Sequence, residues 1–174
     1  MSDDRQVAAA RSGQVDVKAF WRTLGSRATG LTVVTTDSDE GPAGFLGLSA
    51  THLTADPPTI LVSIDKRTSA LAGVLSRRHF AVNYLPVGAK AVGEAFGDKA
   101  VTGAARFALG SWSVLVTGAP VLTDALGVFD CVVEEIIERD DITIVIGAAV
   151  AAAVNDGEPL IYFRGKTYEG LPPT

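Results

Sequence analysis

Residues 127–154 read GVFDCVVEEIIERDDITIVIGAAVAAAV, and this stretch decides the fold class. From Gly127 to Glu138 apolar side chains fall on both faces, with Phe129, Cys131 and Val133 alternating against Val128, Val132 and Ile136. A run rich in β-branched residues, apolar on both sides, reads as a buried strand. Only Asp140-Asp141 separates it from a second apolar run, Ile142 to Val154, so a long antiparallel hairpin is expected.

Further strand signals flank the hairpin. Leu31 to Thr36 is β-branched, and the turn cluster Asp37 to Pro42 predicts a hairpin into Ala43 to Leu53. Asp56-Pro57-Pro58 breaks the chain before strands at Thr59 to Ile64 and His79 to Leu85, with shorter ones at Ser113 to Val116 and Leu160 to Phe163. Asp16 is an N-cap for a short helix carrying Val17, Phe20, Trp21 and Leu24 on one face. Thr68 caps a second helix with Leu71, Val74 and Leu75 in register, and Val87 to Phe96 predicts a third with Val92, Ala95 and Phe96 as its stripe. Strands joined by hairpins, without regular strand–helix alternation, predict a mainly β, antiparallel barrel with a few peripheral helices. One domain is expected over residues 16–171, after a flexible tail over 1–15.

Composition narrows the function. At 174 residues the chain is one domain's worth, and 20% charged against 47% hydrophobic residues is no disordered composition. The balance of 15 Lys+Arg against 20 Asp+Glu gives −5, without a basic stripe, so no nucleic-acid partner is expected. One cysteine, Cys131, and two histidines make neither an internal disulfide nor a zinc cage. No leader-like segment opens the chain, and Ile142 to Val154 falls short of the about 20 residues a membrane span needs. The expectation is a cytoplasmic protein with no membrane partner. Its apolar excess points to surface buried against another subunit.

No G-x-S-x-G, H-E-x-x-H, P-loop or G-x-G-x-x-G motif is present, so a bound organic cofactor or cosubstrate is expected to carry any chemistry. Three stretches suit such a ligand. Gly47-Leu48-Ser49-Ala50-Thr51 would let a planar ring approach the backbone, with Ser49 and Thr51 supplying hydroxyls; the alternative is a strand end decorated with Ser and Thr. Asp65-Lys66-Arg67-Thr68-Ser69 reads as an anion site at a helix start, or as a capped, solvated one. Arg106, beside Phe107 and after a glycine-punctuated loop, would clamp a phosphate, or is a surface arginine beside a core aromatic. His52 by itself reads as a structural histidine, Tyr162 and Tyr168 as packing residues, and Asp140-Asp141 as a hairpin turn.

Taken in order, these segments resemble the short-chain flavin reductase family, with its FMN-binding split β-barrel. The likeness rests on Thr29-Gly30-Leu31-Thr32-Val33-Val34-Thr35-Thr36, on Gly44 to Leu53 followed by Asp56-Pro57-Pro58, and on Arg67-Thr68-Ser69. Phe80-Ala81-Val82-Asn83-Tyr84-Leu85 and Phe96-Gly97 followed by Arg106-Phe107 complete it. The resemblance implies a homodimer with FAD or FMN near the subunit interface. It assigns Thr29, Gly30, Leu46, Gly47, Leu48, Ser49, Ala50 and Thr51 to the ring, and Ser63, Asp65 and Ser69 to the ribityl and phosphate part. Phe96, Gly97 and Arg106 complete that pocket. The implied activity is reduction of flavin by NADH or NADPH, with reduced flavin passing to a monooxygenase of a two-component system. Hydride transfer of this kind depends on positioning more than on acid–base side chains, and no catalytic residue is assigned.

One departure stands out. The family commonly carries Gly-Asp-His before the long C-terminal strand, the histidine meeting nicotinamide, whereas this chain reads Asp140-Asp141-Ile142. Asp141 matches; Ile142 can form no side-chain hydrogen bond. Either His52 or Tyr168 takes the histidine's part, or nicotinamide binds poorly, or the chain is a flavin-binding dimer, a carrier or redox sensor, without efficient NAD(P)H turnover.

Overall fold

The computed structural model describes residues 15–170; of the expected tail only Val15 is included, and residue 171 also lies outside. Helix α1 (Val17–Leu24) leads into β1 (Thr29–Gly30), β2 (Thr32–Ser38), β3 (Gly41–Leu46), β4 (Thr51–Ala55) and β5 (Pro58–Asp65). Then come α2 (Ala70–Arg77), β6 (His79–Tyr84), α3 (Lys90–Gly97) and a 3-10 turn at Gly103–Ala108. The last third is strand: β7 (Trp112–Val114), β8 (Pro120–Leu122), β9 (Gly127–Arg139), β10 (Ile142–Val154), β11 (Leu160–Phe163) and β12 (Lys166–Glu169).

The expected long hairpin is β9–β10, with Arg139 opposite Ile142 and Asp140 at a φ of 49°, a conformation Asp tolerates in tight turns. It forms the middle of a seven-stranded antiparallel sheet ordered β3-β2-β6-β9-β10-β5-β4. The two edges of that sheet, β3 and β4, are joined by only residues 47–50. A flat sheet would hold its edges roughly 29 Å apart over six strand spacings. Five Cα steps reach at most about 18 Å, so the sheet has to curl until its edges approach. Strands β1, β11 and β12 form a separate three-stranded sheet, and β7–β8 a ribbon.

Inside the curl one apolar core gathers around Val34, Val62, Phe80 and Val145, and a second, on the opposite face of β2 and β6, gathers around Leu85, Phe96, Leu122 and Leu160. Asn83, fully buried, crosses between strands: its amide donates to Val33 O and Thr35 Oγ1 and accepts from Leu122 N–H. A satisfied buried amide of this kind fixes register, because any slip leaves its donors unpaired.

Three local expectations are corrected. Ala43 to Leu53 is not one strand; it divides into β3, a link and β4. Asp56-Pro57-Pro58 is the tight turn of the β4–β5 hairpin, with Ala55 opposite Pro58 and a cis Asp56–Pro57 bond. Ser69, not Thr68, occupies the N-cap of α2, and no side chain caps it.

Candidate functional site

Asp16 accepts from the Ala19 N–H at 3.0 Å, starting α1, and Gly25 ends it. The Gly25 carbonyl then accepts from Arg164 N–H at 3.1 Å, tying the helix to the tip of the β11–β12 hairpin. That tip is Arg164-Gly165, at φ 49° and 78° between the paired Phe163 and Lys166. Positive φ at both central residues matches the strand twist of a two-residue hairpin.

Between this helix, β1, β11 and the link after β3 lies an open cleft of about 1280 Å³. Trp21, Leu24, Leu46 and Leu48 provide its apolar walls, and Thr23, Ser26, Thr29, Ser49 and Tyr162 bring hydroxyls. Arg22, Arg27 and Arg164 also line it, and none of the described lining residues is acidic. Thr29 stands directly opposite Tyr162 in the β1–β11 pair, which sets both on one face of the small sheet.

The link's own geometry fixes the cleft floor. Gly47 N–H donates to Thr32 O at 2.8 Å, and Ala50 N–H to Gly47 O at 3.1 Å, making a turn. Ser49 Oγ donates to Ser63 O at 2.9 Å and accepts from Ser63 N–H at 3.2 Å, so it extends the edge of β5 beyond β4. Asp65, two residues on, accepts from the backbone N–H and guanidinium of Arg67. Those bonds hold its carboxyl well below the usual carboxylate range. Lys66 N–H donates to Asp141 O at 2.9 Å, which brings the β9–β10 turn beside the start of α2. Gly97 borders the link from the other side: a Cβ there would sit 3.4 Å from Leu46 Cδ2.

The expected residues therefore divide. Thr29, Leu46, Leu48 and Ser49 line the cleft, and Ser63, Asp65, Gly97 and Asp141 follow from it by direct contact or short sequence steps. Gly30 is exposed in β1 with nothing within 4 Å of an added Cβ, so its main chain is open to close approach. Ser69 is exposed at the start of α2, and Thr51 on β4. Gly47 is buried, and its missing side chain makes room for Val34, whose Cγ2 would lie 2.5 Å from a Cβ. Ala50 packs against the core around Val34.

Phe96 and Arg106 are used differently from the expectation. Phe96, 2% exposed, stacks edge-on with Phe107 and near Trp112 in the core. Arg106 is buried, and its guanidinium donates to Val101 O at 2.8 Å, Gly44 O at 2.6 Å and Asp98 O at 3.0 Å. It pins the 97–109 segment to β3 instead of facing the cleft. Tyr168 sits opposite Ile161, on the face of the small sheet away from Tyr162, and its ring neighbours Phe163 at 6.5 Å. His52 is exposed on edge strand β4 opposite Ile60, outside the cleft lining.

The sequence alone does not mark Trp21, Arg22, Arg27 and Arg164 as site residues, and Tyr162, which reads as packing, lines the cleft as well. Gly165 is the local turn signal beside Arg164, since glycine readily supplies the positive φ of a hairpin tip. Cys131 is buried, and burial pushes its thiol up to about 12, so it is no nucleophile at neutral pH.

The donor set fits a flavin. An apolar slot beside an open glycine backbone suits a flat ring, hydroxyls suit a polyol chain, and cations without competing carboxylates suit phosphate. The cleft volume exceeds the roughly 300–1,000 Å³ of a single small-ligand site, which leaves room beside a flavin for a second ligand.

Comparison with known proteins agrees. Residues 24–171 match the family model described as flavin reductase like domain. An FMN reductase (NADH), RutF, of Agrobacterium fabrum is 35% identical over 166 residues, covering 95% of this chain and 93% of that one. The corresponding RutF 1 of Methylorubrum extorquens is 34% identical over 176 residues, covering 100% of this chain and 84% of its own. Among solved structures, the flavin reductase component BorF of a bacterial two-component tryptophan halogenase superposes with a TM-score of 0.81 at 28% identity, over 91% of this chain and 100% of that one. The NADH:FAD oxidoreductase SgcE6 of Streptomyces globisporus, solved with NAD and FAD fragments, gives 0.81 at 26% identity, over 90% and 94%.

Proposed function

The chain belongs to the flavin reductase like family, and from that premise we propose that it is an NAD(P)H-dependent flavin reductase whose flavin occupies the cleft between α1, β1, β11 and the 47–50 link. The observation that carries this reading is the convergence, in one cleft, of Thr29, Leu46, Leu48 and Ser49 with an apolar wall and a surplus of cations. Flavin, when bound, supplies a two-electron carrier that accepts hydride from a reduced nicotinamide and delivers it elsewhere.

The chain's own residues bind and orient. Leu46 and Leu48 give the ring an apolar bed, the exposed backbone at Thr29-Gly30 supplies main-chain groups, and Ser49 fixes the bed by bracing it on Ser63. Ser63, Asp65 and Ser69 continue from that brace toward the ribityl and phosphate part. No histidine, cysteine or carboxylate lines the cleft among the described residues, so positioning is what the protein contributes.

The curled sheet with its unpaired seam is read as the split barrel of the family, and the chain as a homodimer. Leu61, Ser63 and Asp65 share the outer sheet face with Ile142, Ile144, Ile146 and Ile137, and Ile137 is 40% exposed there. A second copy covering this apolar face would close the site from outside. Reduced flavin then goes to a separate oxygen-activating component, as the halogenase relative's two-component description suggests.

A flavin carrier without nicotinamide turnover is the second reading. What favours it is Ile142, which opens β10 opposite Asp65 and offers no hydrogen bond where the family commonly has histidine. Titration of FMN fluorescence tests the site under either reading. Wild type is expected to quench it saturably, and Ser49→Trp to abolish quenching with its circular dichroism unchanged. Undiminished affinity in Ser49→Trp would show that the flavin lies elsewhere.

A further inference from the structure

We propose that Arg22, Arg27 and Arg164 form an anion subsite at the α1 end of the cleft, built to hold the phosphates of a nucleotide. The hydrogen bond from Arg164 N–H to Gly25 O is what assembles it. It ties the hairpin tip to Gly25, three residues after Arg22 and two before Arg27, and all three arginines line the same cleft. Among the described residues, a chain of net charge −5 thus gathers three cations and no acid along this cleft. The local positive field that results favours an anion.

The neighbours fit the chemistry. The Arg164 guanidinium lies 5.0 Å from the Phe163 ring centroid, which orients the planar fork while its edge donors stay available. Thr23 and Ser26 lie between the arginines, and Trp21 offers an exposed indole on which a base can stack. Arginines, hydroxyls and an indole together describe a nucleoside diphosphate. The Ser63–Ser69 segment does not itself line the cleft and is reached from it through the Ser49–Ser63 hydrogen bonds. The two phosphates of FAD share a bridging oxygen and cannot reach both places, so a flavin with its phosphate at Ser63–Ser69 leaves this subsite to a second ligand beside it, whereas a flavin turned the other way would fill it.

Two sources supply that chemistry, the adenylate end of FAD and the nicotinamide dinucleotide; naming them rests on the flavin reductase reading. The test compares wild type with Arg22→Gln and with the double variant Arg27→Gln/Arg164→Asn. The positions are exposed, and Asn is at ease at the positive φ of residue 164. Riboflavin, FMN, FAD, NADH and ADP are titrated by fluorescence quenching, without turnover. Loss of a charge-assisted contact is expected to weaken binding about tenfold or more per site. FAD weakened, with riboflavin and ADP unchanged, assigns the subsite to flavin; NADH and ADP weakened, with all flavins unchanged, assigns it to nicotinamide. Joint weakening of FAD, NADH and ADP with riboflavin unchanged supports a subsite shared by both. Unchanged affinities for every phosphorylated ligand, or an equal loss for riboflavin, overturn the proposal. Wild type that ignores all flavins yet binds ADP through these arginines would sink the flavin reading and leave the subsite standing.

Discussion

Arg106 shows how one residue's role turns on what its donors meet. An arginine after a glycine-punctuated loop reads as a phosphate clamp, yet this one spends its guanidinium on three main-chain carbonyls from Gly44, Asp98 and Val101. Burial pulls its pKa below the ordinary arginine value, though a guanidinium stays charged at any physiological pH. Removing it leaves the carbonyls unpaired and a hole beneath the 97–109 segment. Arg106→Ala is expected to lose on the order of 3 kcal/mol of stability in urea unfolding, with flavin affinity retained by the folded fraction. Unchanged stability with lost affinity for FMN but not riboflavin would return Arg106 to the phosphate site. Nothing local in the sequence distinguishes these roles, because the partners lie up to 62 residues away.

At the level of elements, what was legible followed from patterns held within one segment. The β9–β10 hairpin announces itself through two apolar runs and a two-residue turn, and α1 through its Asp16 cap. What escaped depends on partners distant in sequence. Ala43 to Leu53 divides because Gly47 tucks against Val34 and bonds to Thr32, contacts that no window around Gly47 contains. Strand β12, Lys166–Glu169, has no apolar alternation and exists through pairing with β11. The same reasoning made half of the candidate site readable: Leu46, Leu48 and Ser49 sit in one stretch, whereas Trp21, Arg27 and Arg164 meet only through the fold. Gly47→Ala tests the link directly. A Cβ 2.5 Å from Val34 Cγ2 is expected to cost about 1–3 kcal/mol in thermal unfolding and to weaken flavin binding by shifting the cleft floor. Wild-type values for both would show that the link yields without consequence.

Across the whole molecule, apolar surface is left uncovered on α1 beside the cleft and on the outer face of the large sheet. Helix α1 buries none of its residues, with Val17, Phe20 and Trp21 at 73%, 52% and 62% exposure. The outer face of β9–β10 shows Val132, Ile137 and Val150. An eight-residue helix is not stable in isolation; Trp21 and Leu24 face the cleft, and the proposed second copy would cover Val17 and Phe20. Sedimentation is expected to give twice the chain mass, and Val132→Glu/Ile137→Glu to reduce it to the single chain. A wild type that sediments as a single chain at micromolar concentration would remove the dimer from the account.

The central claim is that this cleft brings flavin and reduced nicotinamide together for hydride transfer, despite Ile142. Loss of NADH absorbance in the presence and absence of added FMN tests it most directly. The account predicts turnover on the order of 1 per second or faster, rising with FMN to saturation and lost in Ser49→Trp. Tight FMN binding with NADH consumption no faster than in the enzyme-free mixture would contradict it.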